Sequence, residues 1–94
     1  MKITPRNLIR HEFIGLKAEI IDSYNKYYIG ISGLIVGETR NTVLILGNDG
    51  KIRRIPKALC TFLITLPSGL RVKVNGQVII GRPEDRLKRV SKRW

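Results

Sequence analysis

The sequence predicts an all-β fold, a small sandwich or barrel of short antiparallel strands. Three observations carry that expectation. The stretch 15–67 is a succession of short apolar segments rich in Ile, Val and Thr, each closed by a turn signal. Gly47-Asn48-Asp49-Gly50 has the composition of a tight hairpin, with residue types that tolerate positive φ. Leu70-Arg71-Val72-Lys73-Val74 alternates strictly, which places Leu70, Val72 and Val74 inward and Arg71 and Lys73 in solvent.

Taken in order, Thr4-Pro5 opens a short helix, because threonine caps well and proline at the first helical position sacrifices no hydrogen bond. Leu8, Ile9 and Phe13 form its apolar side and face the barrel, and the helix ends before Gly15. Leu16-Lys17-Ala18-Glu19-Ile20-Ile21 is the first strand, followed by the polar loop Asp22-Ser23-Tyr24-Asn25-Lys26. Tyr24, Tyr27 and Tyr28 cluster there. Tyr27 or Tyr28 is expected to start the second strand and pack on the barrel end; the alternative is base stacking in a single-stranded RNA site. Gly33 and Gly37 interrupt the second strand, as a bulge or sharp bend would. Thr42-Val43-Leu44-Ile45-Leu46 and Lys51-Ile52-Arg53-Arg54-Ile55 are the next two strands. Pro56-Lys57-Ala58-Leu59 suits one turn of 3₁₀ helix, and 61–66 is a buried strand. Asn75-Gly76 reads as a hairpin turn, with Gln77-Val78-Ile79-Ile80 closing the sheet. Pro83 at a first helical position, Glu84 and Asp85 behind it and Lys88, Arg89, Lys92 and Arg93 after them match the helix macrodipole. The expected organisation is thus one domain: a helical arm over 1–14, a barrel over 15–81 and a basic helix and tail over 82–94.

Ninety-four residues bury only about 60–65% of their unfolded surface, so the stability margin is thin. Charge bounds the partners. Eighteen Lys and Arg stand against seven Asp and Glu, a net charge of +11 with pI near 10.6, which attracts polyanions. Nucleic acid is the first candidate. No apolar run approaches the roughly 18–20 residues that span a bilayer, and the basic ends lack a long interfacial helix, so no membrane partner is expected. The N-terminus shows no secretory signal, and the one cysteine, Cys60, suits a reducing cytosol as a small buried residue.

Catalysis by the chain itself finds no support. His11 is the sole histidine, the carboxylates are scattered, and no serine or cysteine has a partner histidine at a suggestive position. No glycine-rich loop has the spacing of a phosphate cradle, and neither a metal nor a small-molecule substrate is expected. The cations remain. Lys51, Arg53, Arg54 and Lys57 crowd one stretch; Arg40 and the tail residues Arg82, Arg86, Lys88 and Arg89 extend the set. They are the candidate phosphate contacts. Val43-Leu44-Ile45-Leu46, Phe62-Leu63-Ile64 and Val78-Ile79-Ile80 are apolar on both faces, so a protein partner or the terminal helices must cover the outer side. Leu8, Ile9, Phe13 and Leu87 are the candidate partner contacts.

Several stretches resemble one family. Asn7-Leu8-Ile9-Arg10-His11-Glu12-Phe13-Ile14-Gly15-Leu16 is similar to the opening of the archaeal ribonuclease P protein component with an Sm-like barrel, a relative of the eukaryotic ribonuclease P/MRP subunit of the same fold. The segment from Gly33 through Glu38-Thr39-Arg40-Asn41-Thr42 resembles it too, as do Arg54-Ile55-Pro56-Lys57 and Gly81-Arg82-Pro83-Glu84-Asp85-Arg86-Leu87. The resemblance covers nearly the whole chain in order. It implies a six-stranded antiparallel Sm-like or SH3-like barrel with short terminal helices. It implies a non-catalytic subunit of the cytoplasmic ribonucleoprotein that removes 5′ leaders from precursor tRNA. Magnesium would be held by the RNA, no cofactor by this chain, and the partners would be the ribonuclease P RNA and a small zinc-ribbon subunit. A ribosomal or translation-associated basic barrel, a self-sufficient nuclease and an Sm-like ring are the readings that residue patterns alone leave open.

Overall fold

The computed structural model describes residues 13–81. The two expected terminal helices, with Leu8, Ile9, Arg82, Arg86, Leu87, Lys88 and Arg89, lie outside the described residues. Within them run six strands: β1 (Lys17–Ser23), β2 (Ser32–Glu38), β3 (Thr42–Leu46), β4 (Ile52–Pro56), β5 (Cys60–Thr65) and β6 (Arg71–Asn75). Every pairing is antiparallel, in the order β4-β3-β2-β1-β5-β6. The two halves of the chain thus meet along β1, which pairs with β2 on one side and β5 on the other.

Period-2 burial produces the core. In β5, Cys60, Phe62 and Ile64 are buried while Thr61, Leu63 and Thr65 are half-exposed. Ile20, Ile35, Val43, Ile45 and Ile55 meet them inside, with Leu16, Ala18, Leu66, Val74 and Ile79. Phe13 joins this cluster with no exposed surface. It is a core residue, which overturns its expected place among the partner contacts. The Gly15 N–H donates to the Ile35 carbonyl at 2.8 Å and folds the segment over the barrel mouth. Val72 is half-buried but Leu70 is 52% exposed, so the alternation of β6 reaches the core only at its far end.

The expected bends are present. The β2–β3 register shifts between Ile35 and Gly37 and the β1–β5 register between Ile20 and Asp22. At Gly33 a Cβ would overlap the Leu46 carbonyl, so the sheet curls tightly there. The hairpin at 47–50 differs in detail from expectation. Asn48 and Asp49 keep negative φ, and only Gly50 is left-handed at +79°. The 66–70 turn repeats this geometry: the N–H of Gly47 and of Leu66 each donates to the carbonyl of the residue four ahead, and their carbonyls accept from the glycine three ahead. Asp49 Oδ1 and Ser68 Oγ each accept the N–H two residues on.

Two expectations fail for local reasons. Tyr27 and Tyr28 do not start β2; they lie in a 3₁₀ turn (Lys26–Tyr28) that Asn25 caps by accepting from Tyr27 N–H at 3.0 Å. Nor does 77–80 add a strand. Asn75 accepts from Gln77 N–H at 2.9 Å and opens a 3₁₀ turn (Gly76–Ile79), which buries Ile79 completely and leaves Val78 52% exposed. A short apolar run fits a buried turn as well as a strand. The expected 3₁₀ turn after Pro56 is present (Lys57–Leu59), and these last two turns pack together beside the edge strands β4 and β6.

Lys57 overturns another expectation. Its sequence neighbourhood places it among the phosphate-facing cations, yet it has no exposed surface. Its chain leaves the 3₁₀ turn inward, and Nζ donates to Glu38 Oε2 at 2.7 Å, Thr39 O at 2.8 Å, Gly81 O at 3.0 Å and Arg40 O at 3.4 Å. The Glu38 side chain is as deeply buried, and its Oε1 accepts the Phe13 N–H at 3.3 Å. A buried charge is tolerated only when paired and hydrogen-bonded, and this one is both.

Two predictions follow the packing. Gly76→Ala forces a Cβ into the Lys57 and Cys60 carbonyls and is expected to cost about 1–3 kcal/mol or more, whereas the exposed Gln77→Ala stays within about 0.5 kcal/mol. Denaturant midpoints at constant slope check both. Lys57→Met or Glu38→Leu alone is expected to cost about 3–5 kcal/mol, and Lys57→Met with Glu38→Leu less than the sum of the singles, in a double-mutant cycle.

Candidate nucleic-acid interface

Strand register arranges the outer face of the sheet. Leu46 lies opposite Ile52 and Leu34, Leu34 opposite Lys17, Lys17 opposite Thr65, and Thr65 opposite Arg71. One transverse row therefore runs from Ile52 on β4 to Arg71 on β6 and changes character midway. Ile52, Leu46 and Leu34 make its apolar half; Ile52 is 60% and Leu34 40% exposed. Lys17, Thr65 and Arg71 make its polar, cationic half, and Lys73 stands outward one row along, opposite Leu63. Leu44 covers Gly37 on the apolar side and faces Arg54 across the β3–β4 pair.

The cations singled out from sequence separate into distinct environments. Arg54 is exposed on the outer face, and Lys51 is exposed where the 47–50 hairpin enters β4. Arg40 is exposed in the β2–β3 turn, while its carbonyl accepts the Gly81 N–H at 2.7 Å. Arg53 points to the other side of β4 from Arg54, as alternation requires, and is clamped by Asp49 through two hydrogen bonds of 2.8 and 3.2 Å. That guanidinium, with the Lys51 N–H, holds the Asp49 carboxyl well below its usual range, and the carboxylate in turn raises Arg53. Both shifts favour the charged forms, so the pair is ionised at neutral pH and is lost as acid protonates Asp49. Lys57 is withdrawn altogether. The structure thus brings Lys51 and Arg53 to one hairpin and sets Arg54 on another face.

Lys17, Arg71 and Lys73 come forward in their place. Alternation placed Arg71 and Lys73 in solvent, but only the β1–β5 and β5–β6 pairings put them on one face with Lys17. Arg71 lies 4.0 Å from Glu19 with both side chains largely exposed, a contact of little energetic weight.

No reactive centre accompanies these charges among the described residues. No three His, Cys, Asp or Glu side chains gather there as a metal site would require. Burial raises the Cys60 thiol pKa, and its Sγ lies 3.4 Å from Ser23 Oγ. No helix among the described residues is long and apolar enough to cross a membrane.

Comparison with known proteins identifies the family. The family model described as ribonuclease P/MRP, subunit p29, matches residues 6–89. The ribonuclease P protein component 1 of Methanocaldococcus jannaschii is 53% identical over 90 residues, 96% of this chain and 94% of that one. Its counterpart from Thermofilum pendens is 47% identical over 94 residues, the full length of both. The solved structure of Mth11, a homologue of the human RNase P protein Rpp29, superposes with a TM-score of 0.60 at 41% identity, covering 81% of this chain and 97% of its own. With a family model spanning nearly its whole length and relatives matched end to end, the chain belongs to the ribonuclease P/MRP subunit p29 family.

Proposed function

We propose that this ribonuclease P protein subunit works by counter-charge and adhesion, leaving bond cleavage to the RNA of the enzyme. The divided outer row carries the reading. Its cationic half, Lys17 and Arg71 with Lys73 beside it, lies along folded ribonuclease P RNA; Arg54, Lys51, Arg40 and the tail residues Arg82, Arg86, Lys88 and Arg89 extend the contact. Cations against phosphate relieve repulsion between RNA segments and lower the magnesium needed for a compact RNA fold. The apolar half, Leu34, Leu46 and Ile52, together with Leu8, Ile9 and Leu87 of the terminal segments, receives a protein subunit, for which the small zinc-ribbon subunit is the proposed occupant. A cytoplasmic location goes with the same reading.

Two measurements test it. If about five phosphates are contacted, the logarithm of affinity for ribonuclease P RNA falls against log salt with a slope of roughly −3.5 to −4.5. Lys17→Glu with Arg71→Glu is expected to flatten that slope by roughly 1.4–1.8, from loss of two contacts. Unchanged slope in the double variant, or a wild-type slope near zero, removes the electrostatic account. Leu34→Asp with Ile52→Asp is expected to abolish capture of the zinc-ribbon subunit while the RNA slope and the circular dichroism stay as in wild type. Undiminished capture places the partner elsewhere.

A further inference from the structure

We propose that Tyr27 is a stacking platform for one unpaired nucleotide, set at the barrel end away from the outer face and served by the Asp49-clamped Arg53. The inference rests on the reading of the chain as an RNA-binding subunit, and it assigns a distinct site and a distinct class of RNA element.

Tyr27 is 74% exposed and neighbouring Tyr24 84%. Isolated exposed aromatics need no explanation, but Tyr27 is held in place. Ser23 Oγ accepts the Asn25 N–H at 3.1 Å, and Asn25 Oδ1 accepts the Tyr27 N–H at 3.0 Å. The loop is tied back where Gly30 N–H donates to the Ile20 carbonyl at 2.9 Å. Tyr28 packs on the core and meets the Tyr27 ring edge-on, at 5.6 Å between centroids and 77° between planes. An edge contact braces one side of the Tyr27 ring while the residue remains largely exposed. Ordering such a ring costs little on binding, because tyrosine has only two side-chain torsions.

The surroundings suit a nucleotide. An open groove between the 24–31 loop and the 47–50 hairpin is lined by Ile29, Ser32, Asn48, Asp49 and Arg53. Arg53 lines the groove beside the loop that carries Tyr27, and Asp49 fixes its planar fork. A guanidinium so placed stacks beside a base or receives its phosphate. Asn48 and Ser32 supply donors and acceptors for a base edge. Duplex RNA hides its base faces, so the ring selects an unpaired base from a loop, bulge or end.

The test titrates the whole chain, as wild type, Tyr27→Ala and Tyr27→Phe, against a short oligouridylate and an RNA hairpin duplex of equal nucleotide count across a salt series. Tyr27→Ala is expected to weaken oligouridylate binding roughly 5- to 150-fold. Its salt slope and its duplex affinity should equal those of wild type, and Tyr27→Phe should bind the oligouridylate as wild type does. Equal binding of the oligouridylate by wild type and Tyr27→Ala overturns the platform, as does a matching loss on the duplex. If wild type binds both RNAs with a steep salt slope while Tyr27→Ala is indistinguishable from it, the platform falls and the counter-charge reading stands. If wild type binds neither RNA at low salt, both fall.

Discussion

A single buried ammonium holds the ends of this barrel to its middle. Lys57 Nζ gathers the Glu38 carboxylate and the carbonyls of Thr39, Arg40 and Gly81, while the other carboxylate oxygen of Glu38 takes the Phe13 N–H. Four separate parts of the chain converge there: the entry segment, the β2–β3 turn, the turn after β4 and the start of the C-terminal segment. Three ammonium protons meet four acceptors among the described residues, so the directions in which those backbones arrive are tightly constrained. A hydrophobic replacement of similar volume could give as much stability. It would not impose the same geometry on four backbones at once.

That constraint explains how a small open sheet manages its edges. Strands β4 and β6 are the ends of the hydrogen-bonded order, and the 3₁₀ turns after Pro56 and Asn75 pack together beside them. Gly76 is close enough to the Lys57 carbonyl that no side chain fits between them. The edges also carry like charge, with Arg53 and Arg54 on β4 and Arg71 and Lys73 on β6. Such edges disfavour pairing between copies of the chain, since like charges would be brought opposite one another.

Charge has two uses in the molecule, and burial separates them. Lys57 is a structural cation, spent internally. Lys17, Arg54, Arg71 and Lys73 stand on the outer face where a polyanion can approach. Arg53 lies between these cases, satisfied by Asp49 yet turned toward solvent at the barrel end. Net charge of +11 supplies long-range attraction, and the position of each cation decides which contacts that attraction can consummate.

The sequence by itself determined the class, the strand segments 42–46, 61–66 and 70–74 to within a residue or two, the bend at Gly33 and the 3₁₀ turn after Pro56. Alternation and turn residues are local properties, and they survive folding unchanged. Resemblance to the ribonuclease P component was also legible, because it lies in ordered short motifs along the chain. Four features were not. Lys57 sits in a basic run, and nothing local distinguishes it from Arg54; its burial depends on Glu38, nineteen residues away, arriving at 2.7 Å. Phe13 read both as facing the barrel and as a partner contact, and it is wholly core because Ile35 receives the backbone of Gly15. The apolar run 77–80 looked like a strand and became a turn once Asn75 capped it. The division of the outer face into apolar and cationic halves exists only after β1 pairs with both β2 and β5, since register alone decides which side chains become neighbours.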